Sequence, residues 1–332
     1  MPKVLFLGDI HPDGHRLFDR RPEFQRLLFA DPKPSELLDA VPEVDAIVLR
    51  KLHLGAEVLR RAERLKMVSR HGVGCDNVDV DALTRRGIPV LTVGDANTVS
   101  VAEHAMMLIL AAARRLLACR ELLQTPREGP GREGFLAARD AIGTMELAKR
   151  TILIVGFGRI GRRLAKLASA FDMDVVVADP FVAPGVPEAL GYRHVPRFEE
   201  ALGDADCLVL CLPATPEGKP LFGARQFGRM KQGALFVNVA RGSLVDENDL
   251  ADALERGRLL GAGTDVWQDL PPGANHRLLS LPNMVVTPHC AAHTDACLSR
   301  MAVISVQNVF DFFDGRPKRE LCFNPEAFDT TD

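Results

Sequence analysis

The chain reads as an α/β protein built on two parallel sheets, and three observations predict this. Short apolar runs alternate with helical patterns over residues 3–92. A strand, a glycine turn, a helix, a second strand and a closing acid follow one another over residues 151–179. The alternation then resumes as far as residue 287. Strands of parallel sheets are covered on both faces by their crossover helices, so they read as near-continuous apolar runs, as these segments do.

In chain order, residues 4–7, 46–49, 66–69 and 89–92 predict short parallel strands, with helices between them, for example over 56–62 and 79–86. Residues 99–120 predict one long helix. Much of it is apolar on all sides, which suits burial at a domain or subunit contact. Residues 124–134 are rich in Pro, Gly and Arg and predict an exposed loop or arm. The second array opens with a strand over 151–155, a helix over 159–170 and an apolar run over 175–178 that ends at Asp179. Runs at 207–212, 234–239, 259–264 and 284–287 complete a doubly wound sheet. A long helix over 294–313 and a tail at 321–325 follow.

Between the first strand and helix of the second array stands Gly156-Phe157-Gly158-Arg159-Ile160-Gly161. With its flanking strands and Asp179 it forms a complete dinucleotide fingerprint. Gly156 permits the tight turn and Gly161 the close packing of helix on strand. Gly158 lets the backbone approach a pyrophosphate at the N-terminus of the helix opened by Arg159 and Ile160, where unpaired N–H groups attract anions.

Composition narrows the partners. A length of 332 residues predicts about two domains. The apolar fraction of 47% and charged fraction of 26% suit a soluble globular protein. A net charge of −3 gives no basic footprint for nucleic acid. The chain enters an apolar strand at once, so no signal peptide is expected. The longest apolar run, 105–113, is too short to span a bilayer. Seven cysteines without regular spacing argue against a disulfide framework. Cys207 and Cys211 flank a strand-like run, which disfavours a zinc pair, and no metal is expected. Reduced thiols then place the protein in the cytoplasm.

Further polar residues close apolar runs, where open α/β sheets bind ligands. They are Arg241 in Asn238-Val239-Ala240-Arg241-Gly242, Asp265 after Thr264, His289 after Thr287-Pro288, and the glycine loop from Arg70 to Asn77. A cation for a carboxylate, an acid/base and a held nicotinamide are what hydride chemistry on a hydroxy acid requires. Each residue also has a simpler reading. Arg241 suits a surface ion pair and His289 a helix cap. Asp246 and Glu247 suit a helix start, where acids complement the dipole. His53, His71, His104 and His293 read as satisfied or exposed histidines, with His53 and His71 near first-domain strand ends.

At these residues the sequence resembles the NAD-dependent D-2-hydroxyacid dehydrogenase family, over nearly its whole length. The matching segments are 70–79, Asn97 with Val101-Ala102-Glu103-His104, the glycine turn, Cys211-Leu212-Pro213-Ala214-Thr215, the arginine segment with Val245-Asp246-Glu247, Thr287-Pro288-His289 and Asn324-Pro325-Glu326. The resemblance implies a Rossmann NAD domain over 98–292 and a flavodoxin-like substrate domain over 1–97 plus 293–332, both with parallel sheets. It implies an active-site cleft between them that closes over NAD and a small 2-hydroxy or 2-oxo acid, and a homodimer joined through the NAD domains. Arg241 would clamp the substrate carboxylate, with Val73, Gly74 and Asn97 also on the substrate side. His289 would be the acid/base. Asp265 would orient the nicotinamide carboxamide and Asp179 would bond the ribose diol. Pro213, Val239 and Ala240 would line the cofactor.

The chain departs from the family where its catalytic glutamate is expected, because that position is Leu270. Leucine accepts no hydrogen bond from a histidine. One alternative is a shifted loop that brings Asp269 or Gln268 to His289. The other is a catalytically weak NAD-binding regulatory protein on the same fold. A phosphoglycerate-type enzyme is a narrower rival, for which the first domain shows no clear basic phosphate cluster and no regulatory domain is expected after residue 332. The segment before Thr151 also lacks the family's usual glycine and upstream tryptophan, with Phe135 as the nearest aromatic.

Overall fold

The computed structural model describes residues 1–124, 131–215 and 218–329. The chain divides into two compact units, Met1–Asn97 with Ala292–Asp332, and Thr98–Ala291.

The first unit carries a five-stranded parallel sheet of β1 (Lys3–Leu7), β2 (Gln25–Phe29), β3 (Ala46–Leu49), β4 (Met67–Arg70) and β5 (Val90–Leu91), in the order β2-β1-β3-β4-β5. This is the flavodoxin-like order, which reverses between β1 and β3. Alternate residues of each strand feed opposite cores. Leu5, Leu7, Ile47 and Leu49 join one core with Leu37, Leu59 and Leu83 from the helices Pro34–Ala40, Ala56–Arg61 and Val80–Arg85. Val4, Phe6, Ala46 and Val48 join the other with Phe18, Phe24, Val306 and Phe310. The last two lie on the helix Asp295–Phe313, so the end of the chain completes the first core. Burying each such side chain stabilises the fold by about 1.5–3 kcal/mol. The tail closes the β5 edge: Asn324 Oδ1 accepts from Val90 N at 2.7 Å, and its amide donates to Thr84 Oγ1 and Ile88 O.

The second unit carries β6 (Thr151–Val155), β7 (Asp174–Ala178), β8 (Arg193–Val195), β9 (Cys207–Leu210), β10 (Ala234–Asn238), β11 (Leu259–Thr264) and β12 (Met284–Val286). They form one parallel sheet of seven strands in the order β12-β11-β10-β9-β6-β7-β8. The order reverses between β6 and β9, as in Rossmann sheets. The helix Thr98–Ala113 lies against β11, where glycines make room: a Cβ on Gly263 would stand 2.9 Å from Leu108 Cβ.

The single helix expected over 99–120 is corrected. It ends at Ala113, and a second helix runs over Leu116–Gln124. Arg115 between them has a left-handed backbone, φ 48°. Apolar residues continue past the break as Leu116 and Leu117, which hides it in the sequence, but the second helix buries none of its residues. The loop expected over 124–134 is corrected at its end, since Gly131–Asp140 is helical, while 125–130 lie outside the described residues. The edge strands β2 and β8 were not anticipated. Polar, exposed residues such as Gln25, Arg26 and Arg193 break the apolar run that marks a central strand.

Candidate functional site

The glycine turn is built as its residue types require. Gly156 has φ 100°, and a Cβ there would lie 2.6 Å from Cys211 O. A Cβ on Gly161 would lie 2.0 Å from Gly156 O, so helix and turn touch backbone to backbone. Gly158, the N-cap of the helix Arg159–Ala170, has nothing within 4 Å of such a Cβ. The cradle is thus closed on its protein side and open at the helix N-terminus, where N–H groups lack intrahelical partners. Asp179 closes β7. Its Oδ2 accepts from Phe157 N at 2.7 Å and its Oδ1 from Phe181 N at 2.8 Å. Each oxygen retains a further acceptor site. Pro213 is exposed after the end of β9.

Arg241 follows β10 and is half-buried. Its loop is fixed by buried Asn238, whose Nδ2 donates to Arg241 O at 2.8 Å and whose Oδ1 accepts from Ala240 N at 3.0 Å. Val239 and Ala240 are buried. Gly242 presses on the next strand end, since its Cβ would stand 1.9 Å from Trp267 C. Any other residue there would separate the Arg241 loop from the segment after β11.

Asp265 closes β11 and is 1% exposed. Its Oδ1 accepts from Thr287 Oγ1 at 2.6 Å and from Cys290 N at 2.8 Å, and its Oδ2 accepts from Ala291 N at 2.8 Å. These bonds bracket His289, an exposed residue with a left-handed backbone, φ 56°. A carboxylate offers about four acceptor sites, and these bonds use three of them. His104, Asp265 and Cys290 bring ligand-type atoms within 4.8 Å of one another. The Thr287 hydroxyl sits among them, 2.9 Å from His104 Nε2, and burial raises the Cys290 thiol pKa, so hydrogen bonds satisfy this cluster. Burial likewise pushes the Cys211 thiol up to about 12 and that of Cys207 higher, which opposes the thiolate a zinc pair needs.

The shifted-loop alternative needs Gln268 or Asp269 at His289, and Gln268 has other partners. Gln268 Nε2 donates to Val245 O at 2.8 Å, and Gln268 N donates to Glu247 Oε1 at 2.9 Å. Glu247 Oε2 takes His276 Nε2 at 2.9 Å, and His276 Nδ1 accepts from Leu278 N. These ties engage Gln268 with the Glu247 segment, and among the described residues neither Gln268 nor Asp269 is hydrogen-bonded to His289. Asp269 is exposed, and among the described residues it has no hydrogen bond or ion pair. Leu270 is 54% exposed. Asp246 is the helix N-cap expected of it, accepting from Asn248 N and Asp249 N. Glu247 does more than start a helix. Its long-range partners carried no sequence signal.

Val73, Gly74 and Asn97 belong to the first unit. Arg70 shapes the loop, donating from Nε to Gly74 O at 2.9 Å and from Nη1 to Arg50 O at 2.8 Å and His71 O at 2.9 Å. His71 is 4% exposed, and burial, then the charge of Arg50, lowers its pKa to about 4. It is a buried neutral histidine.

A Rossmann sheet with an open glycine cradle, and with an arginine, an acid and a histidine on its next strand ends, defines a dinucleotide-binding α/β protein. The chain belongs to the D-isomer specific 2-hydroxyacid dehydrogenase family, whose NAD binding domain matches residues 106–291. NAD is its cofactor, and Gly158's open cradle fits that group. The chain is 37% identical to a D-3-phosphoglycerate dehydrogenase of Archaeoglobus fulgidus, over 86% of this chain and 52% of the relative. It thus spans about half the length of that relative. It is 33% identical to a glyoxylate reductase of Thermococcus litoralis, over 95% of this chain and 94% of the relative. The solved NAD-dependent formate dehydrogenase of Staphylococcus aureus, in complex with NAD, superposes with a TM-score of 0.82 at 27% identity, covering 97% of this chain and 98% of that one. No described helix is long and apolar enough to cross a membrane.

Proposed function

We propose that this chain is an NAD-dependent oxidoreductase that transfers a hydride between NAD(H) and a D-2-hydroxy acid or its 2-oxo acid. One observation carries the reading. Arg241, Asp265 and His289 stand at the ends of the adjacent strands β10, β11 and β12, in the sheet whose first turn is the glycine cradle. NAD, when bound, accepts or supplies the hydride. Arg241 pairs its planar guanidinium with the substrate carboxylate and polarises the carbonyl. His289 donates a proton to the carbonyl oxygen in reduction and removes it from the hydroxyl in oxidation. Asp265 accepts a carboxamide N–H. Val73 and Gly74 supply backbone N–H groups to the carboxylate, with Asn97 also on the substrate side.

The side-chain class of the acid stays with the small 2-oxo acids as a group. Reduced cysteines suit the cytoplasm, since no disulfide forms among the described residues. Leu116, Leu117 and Leu123, exposed at 57%, 38% and 66%, supply an apolar surface for a homodimer of the NAD-binding units. Leu270 favours a second reading, an NAD-binding regulatory protein with weak turnover. An assay of NADH oxidation against a panel of 2-oxo acids separates the two. Turnover of at least one acid supports the enzyme, and binding of NADH with no turnover of any supports the regulator.

A further inference from the structure

We propose that His104 is a positioning residue for the acid/base His289, acting through the hydroxyl of Thr287 and the carboxylate of Asp265. The role in turnover rests on the reading of His289 given above.

The argument starts from proton counting. Thr287 Oγ1 has a single hydrogen. It lies 2.6 Å from Asp265 Oδ1, 3.3 Å from Thr264 O and 2.9 Å from His104 Nε2. The carboxylate is the strongest acceptor of the three and takes that hydrogen. The hydroxyl oxygen is then an acceptor toward His104, whose Nε2 must carry a hydrogen to donate to it. His104 Nε2 is also 3.5 Å from Asp265 Oδ1. The tautomer of His104 therefore sets the direction of a chain: His104 to Thr287, Thr287 to Asp265, with Asp265 receiving Cys290 N and Ala291 N.

That chain ends on the turn that holds His289. A left-handed backbone is uncommon for a residue with a Cβ and persists where its surroundings over-determine it. Asp265 supplies that constraint on both sides of His289, from Thr287 and from Cys290 with Ala291. His104 is 13% exposed and sits on the buried helix Thr98–Ala113, a rigid element packed on β11. It braces the Thr287 end of the turn from behind. An imidazole that must meet a substrate oxygen within hydrogen-bond reach is sensitive to such a brace.

The test uses the full chain with two pairs of variants. His104→Leu removes the donor and His104→Gln returns one near the position of Nε2. Thr287→Val removes the hydroxyl and Thr287→Ser keeps it. His104→Leu and Thr287→Val should each lower kcat/KM for an active 2-oxo acid by about ten- to a hundredfold. They should alter the pH profile of kcat/KM and leave the Kd for NADH within about threefold of the parent. His104→Gln and Thr287→Ser should recover most of the loss. The double variant His104→Leu/Thr287→Val should fall short of the sum of its parts, since both break one chain. A second readout needs no turnover: the rate at which diethyl pyrocarbonate modifies His289, resolved by peptide mass spectrometry, as a function of pH. It should change in the Leu and Val variants and return in Gln and Ser. If the parent turns over no 2-oxo acid but this pattern holds, the positioning stands and the dehydrogenase reading fails. If His289 reactivity is the same in all five proteins, or Leu and Gln are equally impaired, His104 is packing only and the proposal is overturned.

Discussion

At the scale of single residues, the site rests on groups whose chemistry is not interchangeable. Arg241→Lys retains a charge but loses the planar fork that grips a carboxylate at two points. It should lower kcat/KM by about a hundredfold or more, with the Kd for NADH nearly unchanged. Wild-type turnover in that variant would leave Arg241 with a structural role alone. Asp179 closes β7 and bonds the glycine turn at Phe157 N, and the exposed Pro180 and Phe181 that follow bring no cation for a 2′-phosphate. NAD(H) should therefore be preferred over NADP(H) by more than about tenfold in kcat/KM. Leu270→Glu tests the missing carboxylate. A carboxylate beside a histidine favours the imidazolium and raises its pKa. Reduction requires protonated His289, so the alkaline limb of its pH profile should move upward. Asp269→Asn tests the shifted-loop alternative: a downward move of that limb would make Asp269 the partner, and an unchanged limb would reject it.

At the scale of elements, one device recurs in both units. Buried Asp45 precedes β3 and accepts from Lys3 N at the start of β1. Buried Asp206 precedes β9 and accepts from Thr151 N at the start of β6. Each acid ties the first strand of its sheet to the neighbour across the reversal of strand order. For Asp206, burial acts to raise the carboxyl pKa. The Lys231 hydrogen bond at 2.7 Å, Thr151 N, and the charges of Lys231 and Arg150 prevail and hold it below the usual carboxylate range. Its folded pKa is thus depressed. Its stabilisation is present above the unfolded value and is lost as pH falls through the folded one. Asp206→Ala should cost about 1–2 kcal/mol in urea unfolding at neutral pH, since it removes the hydrogen bonds to Thr151 N and to a half-exposed, solvent-screened Lys231. The gap from the parent should shrink as pH drops below the ordinary aspartate range. A gap constant with pH would assign the loss to packing.

At the scale of the whole molecule, the helices after the Arg115 break present apolar side chains to solvent rather than to a core. Light scattering should report a dimer for the parent. The paired change Leu116→Glu with Leu123→Glu should shift it toward monomer without lowering the affinity of the cradle for NADH. A monomeric parent would remove the homodimer from the proposal.

By itself the sequence determined what depends on neighbouring residues. The glycine turn was legible because turn, helix N-terminus and strand end lie within a few residues of one another, and each glycine answers a local steric demand, as Gly156 and Gly161 show. The central strands were legible because burial on both faces writes an unbroken apolar run. Edge strands β2 and β8 were not, since a half-covered strand has no such run. The helix break at Arg115 was hidden because exposed leucines continue the pattern of buried ones. Tertiary structure alone decided the partners. Asp265 meets Thr287, Cys290 and Ala291 because β11 and β12 are adjacent, and Glu247 holds Gln268 and His276 because the segments after β10 and β11 pack together. Which acid stands by which histidine is fixed by strand order and packing across many residues, and a periodicity that lasts one helix or strand carries no record of it.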